Sequence, residues 1–193
     1  MSVFGSPSIA KDRVPWNKTI SEGQWAVIAV GIVAGILVAY ARTPMHLPGH
    51  KALLWMAPIL AARLVTRTFA GASVGALVTA LTALSLGGRI AGGIGMMPLV
   101  VLAGVVLDAG VELGERRKFA WRKVIILMAF AGLVANLICF LKRLFDPTGS
   151  FLSSGNLQDL LFAGTWHAIF GFIAGLLGAV AGHAILRLGR SSD

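Results

Sequence analysis

Apolar residues in this chain run in six long stretches, at about 25–40, 51–65, 69–86, 94–113, 124–141 and 165–186, with polar breaks between them. The pattern is neither the alternation of a half-buried strand nor the one-sided stripe of a surface helix. A spanning helix needs roughly 20 mostly apolar residues to cross a ~30 Å hydrocarbon core. In lipid such a segment must close its own backbone hydrogen bonds, so helix is the default. The pattern therefore predicts an all-α fold, an integral membrane bundle of six transmembrane helices.

The breaks carry turn chemistry. The first connector, 42–50, holds Pro44, Pro48, Gly49, His46 and His50. Thr66-Arg67-Thr68 makes a tight turn, and Gly87-Gly88-Arg89 with Gly92-Gly93 interrupts the chain before the fourth span. A basic run, Arg116-Arg117-Lys118 and Arg122-Lys123, follows that span. The longest connector, 142–164, contains Pro147 and Gly/Ser clusters, and its 156–162 portion reads as a short interfacial helix. The organisation expected is a polar N-terminal tail over 1–23, a transmembrane domain over 24–188 and a short tail over 189–193.

Composition supports the membrane reading. The chain is 56% hydrophobic and 13% charged, against roughly 25% charged in a soluble domain, and its mean hydropathy is +0.81. The net charge of +9 does not point to nucleic acid, because the cations flank apolar spans and form no stripe interleaved with aromatics. It points to topology control and to contact of the cations with anionic lipid headgroups instead. With six spans, eleven lysines and arginines fall on the side of the termini and five on the other, with Arg63 inside the second span. The excess places both termini in the cytoplasm, and the expected location is the bacterial cytoplasmic membrane. Residues 1–23 show no apolar core of a cleavable signal, so the first span is expected to act as an uncleaved anchor. The single cysteine, Cys139, has no internal partner for a disulfide.

Orienting the spans sorts the polar residues by depth. His46, His50, Trp55, Arg89, Met97, Asn136, Trp166 and His167 fall at the outer mouth and are the candidate substrate-binding residues. Arg63, Asp108 and Glu112 fall near the inner ends and suggest an intramembrane ion pair, which lowers the cost of each charge. Small residues at helical spacing recur in several spans, and such faces let helices approach closely. They serve internal packing, or a docking face for another membrane subunit. The stripe Gly31, Gly35 and Ala39 on the first span is the best docking candidate.

Enzyme signatures are missing. Gly71-Ala72-Ser73-Val74 lacks the second glycine of an intramembrane serine protease motif, and the chain has no H-E-x-x-H and no P-loop. No catalytic residue, cofactor or resident metal is expected, and active transport would draw its energy from ions or another polypeptide.

The size, the six spans, the small-residue first span and the Pro/Gly-rich loop 43–51 resemble the substrate-binding S component of an energy-coupling factor (ECF) transporter. So does Gly49-His50-Lys51-Ala52-Leu53-Leu54-Trp55, leading to Arg63 and Gly71-Ala72-Ser73. The resemblance covers about 24–187. It implies capture of a vitamin or similar water-soluble nutrient from outside, under a cap formed by the first loop. It also implies docking of the first helix on a membrane coupling subunit served by two ATPases. A second resemblance is to MreD, a membrane scaffold of similar size that transports nothing. A small intramembrane enzyme using His167 or Asp108 is a third class. The outer polar residues separate these readings, since a scaffold should tolerate their loss.

Overall fold

The computed structural model describes residues 22–41, 47–87, 93–145 and 157–190, and these contain helices and turns but no strand. The helices are α1 (Glu22–Tyr40), α2 (Ala52–Thr66), α3 (Gly71–Ser85), α4 (Met97–Arg116), α5 (Trp121–Phe145) and α6 (Leu157–Arg190), with a 3-10 turn at Gly93–Met96 before α4. Four of them, α1, α4, α5 and α6, are long and apolar enough to cross a membrane. The other two have 15 residues each, or about 22 Å at 1.5 Å per residue, short of a ~30 Å core.

Side-chain contacts fix the directions. Gly23 at the start of α1 lies against Thr66 and Thr68, and Gly35 near its end lies against Thr79 and Thr82, so α1 and α3 run parallel. Gly178 meets Ala57 and Leu60, and Gly182 meets Ala61 and Leu64, so α2 and α6 are parallel too. Gly104 on Ala72 and Ser73, Gly114 on Val124, and Gly175 on Met128 make α3–α4, α4–α5 and α5–α6 antiparallel. Consecutive helices thus alternate in direction. Their neighbours close a ring in the order α1, α3, α4, α5, α6, α2, and α2 also touches α3 and α4.

That position explains why α2 buries Trp55, Met56, Ile59, Leu60, Arg63 and Leu64 although it is short. The exposed apolar residues lie elsewhere, for example Ile32, Val33 and Ile36 on α1, Ile126 and Phe130 on α5, and Leu177 and Val180 on α6.

The turns follow from local chemistry. Arg67 closes α2 in the left-handed region (φ 53°) and donates its backbone N–H to Arg63 O, and Ala70 repeats that conformation (φ 52°) before α3. Two such residues within four reverse the chain tightly. After α4, Lys118 (φ 50°) donates to Glu115 O and Phe119 to Gly114 O, the paired bonds of a Schellman cap.

Two sequence-based boundaries need correction. The separate interfacial helix at 156–162 and the span at 165–186 are one continuous 34-residue helix, α6. Gly164-Thr165 reads as a break in sequence, but an isolated glycine costs a helix only ~1 kcal/mol, and Thr165 Oγ1 bonds back to Leu161 O at 2.8 Å without interrupting it. The fourth span begins later than expected. Pro98 sits in the first turn of α4, so the α-helix starts at Met97 and the preceding turn is 3-10.

Candidate functional site

Polar side chains gather at both ends of the bundle. At one end the turn before α2 is clamped to α5 and α6. Asn136, 3% exposed, donates from its single amide nitrogen to His167 O (2.8 Å) and to Gly49 O (3.3 Å). Gly49 has φ +80°, and a Cβ there would sit 2.9 Å from His167 Cα. Glycine is required twice over, for the conformation and for the approach. Lys51 completes the clamp by donating to Val38 O at 3.2 Å, which ties the same turn to the end of α1.

Both histidines at this end use Nδ1 on a backbone carbonyl. His50 bonds Leu47 O and His167 bonds Ala163 O at 2.8 Å. A carbonyl only accepts, so Nδ1 carries the proton, and in the neutral ring the lone pair lies on Nε2. Around them runs an aromatic series on α6. Phe162 and Trp166 meet edge to face at 6.1 Å, Trp166 stacks on Phe170 at 5.5 Å, and Phe170 meets the His50 ring at 6.4 Å. Phe140 of α5 lies 5.2 Å from the His167 ring. Trp166 is half-buried, with one side of the series toward the surroundings.

The structure therefore brings His50, Asn136, Trp166 and His167 together. Trp55 and Met97 instead belong to or pack on the hydrophobic core, and among the described residues no hydrogen bond or ring contact joins them to this cluster. His46 and Arg89 lie outside the described residues. Gly49, Phe140, Phe162 and Phe170 were not singled out as site residues from sequence. The signal for Gly49 was the Pro48-Gly49 pair, which reads as a turn without saying what the turn touches. Among the described residues no three His, Cys, Asp or Glu side chains are grouped to hold a metal.

The opposite end is built on Asp108. Its Oδ1 accepts from Arg63 Nε and from the Ala72 N–H, both at 3.0 Å, and its Oδ2 accepts from the Ser73 N–H at 2.8 Å and Ser73 Oγ at 2.7 Å. One carboxylate thus caps the first turn of α3, neutralises Arg63 of α2 and holds both helices to α4. Gly71 makes room, since a Cβ there would collide with Thr68 and with Arg63 Cδ.

The expected set Arg63, Asp108 and Glu112 is corrected in one member. Glu112 faces Arg116, its neighbour one turn on, at 2.7 Å, and Glu115 approaches Arg63 Nη1 at 4.0 Å. The reason is rotation along α4: the buried guanidinium lies nearer the face of residue 115 than that of 112. Arg63 is 3% exposed and its Nη1 has no hydrogen-bond partner among the described residues. Ser73, noted in sequence only as part of a failed protease motif, is the side chain that sequence reasoning missed here.

The stripe expected to dock a partner also turns inward. Gly31 and Gly35 are buried on α3, with Gly31 O accepting from Thr79 Oγ1 at 3.0 Å. A Cβ on Gly35 would fall 2.6 Å from Thr82 Cβ. These two glycines are filled from within the chain, and Ala39 is half-buried beside them.

No protein-family model, no curated protein and no solved structure matches the chain.

Proposed function

We infer that the protein is a membrane subunit that captures a small water-soluble nutrient, a vitamin or similar molecule, at the end of the bundle holding His50 and His167. The observation that carries this reading is the pairing of two imidazoles of fixed tautomer with a half-buried tryptophan in one aromatic cluster. The half-buried face of Trp166 beside the two imidazoles offers a stacking surface for a ligand. The helices make a six-span bundle with this cluster on the outer side and both termini in the cytoplasm. The longer helices cross the bilayer outright, and the short α2 is enclosed by its neighbours. The chain carries no P-loop, so a coupling subunit with ATPases supplies the energy. With Gly31 and Gly35 engaged on α3, that partner would meet the outward apolar face of α1.

The test is to purify the protein in mild detergent and identify co-purified small molecules by mass spectrometry. His50→Ala and His167→Ala should each lower ligand retention by tenfold or more and slow uptake-dependent growth. No retained molecule, with both variants supporting normal uptake, would overturn the reading. The scaffold alternative draws on the Asn136 and Asp108 bonds, which serve the bundle itself. It expects both histidine variants to behave like the parent.

A further inference from the structure

The α4–α5 turn and the last turns of α6 carry cations that the described residues leave without counter-ions. Arg117, Lys118, Arg122 and Arg187 are exposed, and among the described residues none of their four side chains makes an ion pair or another polar contact. The carboxylates of α4 are committed elsewhere: Asp108 to Arg63 and the α3 amides, Glu112 to Arg116, and Glu115 toward Arg63. The Trp121 and His183 rings meet at 4.3 Å in a tilted arrangement. This contact joins the start of α5 to α6 one turn before Arg187, so the cations of the turn and of α6 border one patch.

Immediately along the helices from this patch the surface becomes apolar. Leu113, Ile126 and Ile185 are 43%, 57% and 50% exposed. From the end of the bundle inward, Arg117 is followed by Leu113 on α4, Arg122 by Ile126 on α5 and Arg187 by Ile185 on α6. Cation then aliphatic side chain is the polarity order of a phospholipid: phosphate, then acyl chain.

We propose that this patch is a binding site for an anionic phospholipid, with Arg117, Lys118, Arg122 and Arg187 on the phosphate and the acyl chains along Leu113, Ile126 and Ile185. Charge complementarity selects an anion, and the adjoining aliphatic surface selects a lipid over a soluble phosphate. The site is independent of the histidine cluster, which lies at the other end.

The full chain in mild detergent, mixed with equimolar phosphatidylglycerol and phosphatidylcholine, tests this by native mass spectrometry. Phosphatidylglycerol adducts should dominate. Arg117→Gln and Arg122→Gln should each reduce that preference by about fivefold, the worth of one basic residue near an anionic surface. Lys142→Gln, at the opposite end, should leave it unchanged. Thermal unfolding of each variant in the same detergent separates lost binding from lost folding, and the exposed glutamines should unfold as the parent does. Equal retention of the two lipids, or a preference that survives the combined Arg117→Gln, Arg122→Gln and Arg187→Gln variant, would overturn the site. So would displacement of the lipid by the same concentration of inorganic phosphate, or capture by these cations of an acidic protein against which phosphatidylglycerol does not compete.

Discussion

At the scale of single residues, Asp108 decides more than its neighbours do. Among the described residues it is the one carboxylate that meets a buried arginine, a hydroxyl and two helix-end amides at once. Removing one partner of a buried ion pair costs about 3–5 kcal/mol, because the other charge stays buried without compensation. Asp108→Ala should therefore lower stability by that order, read as the unfolding midpoint in detergent. Glu112→Ala, which breaks an exposed i,i+4 pair, should change it by less than ~1 kcal/mol. Equal effects would mean that Arg63 finds another acceptor. Sequence placed Arg63 and Asp108 at one depth, because depth follows from counting along a span. It could not choose between Glu112 and Glu115, which differ by rotation around α4, nor see Ser73 as a donor to Asp108, because that bond joins residues 35 positions apart.

At the scale of elements, glycine sets which helices touch. Gly132, Gly171 and Gly175 bring α5 and α6 backbone to backbone, such that a Cβ on Gly171 would collide with Gly132 O. The same device joins α1 to α3 through Gly31 and Gly35. Gly35→Val should therefore destabilise the isolated protein itself, by at least the ~1–3 kcal/mol of an overpacked interface. Thermal unfolding without any partner checks it. A midpoint equal to the parent's would put the stripe back on an open face. Small-residue spacing was legible in sequence as a close-packing face, but spacing names no partner. The apolar stretches were legible as helices for the same reason that their ends were not: hydropathy is read over many residues, whereas a boundary depends on single residues such as Pro98 and Thr165.

At the scale of the molecule, alternating helix directions put His50, Asn136 and His167 at one end and Arg63, Asp108 and the basic turn at the other. In the proposed topology the basic end is the cytoplasmic one. With Cys139 replaced by alanine, a cysteine at position 118 should react with a membrane-impermeant maleimide only after cells are permeabilised, and one at position 162 should react in intact cells. The reverse pattern would move the histidine cluster to the cytoplasm. The up-and-down order was readable from the count of spans. The ring order was not, because it pairs α1 with α3 and α2 with α6 across intervening chain. The enclosure of α2 also bears on how the protein is made. Arg63 leaves the ribosome 45 residues before Asp108, its counter-ion. Until then α2 is a 15-residue helix with Pro58 inside it and an uncompensated arginine in its last turn, and a charge without its partner weighs against insertion. A nascent chain stopped before α4 should hold α2 and α3 at the membrane surface, and the arrival of α4 should draw both in. In the proposed six-span bundle, the bilayer is then entered in the order in which charges find partners, not in the order in which the helices are synthesised.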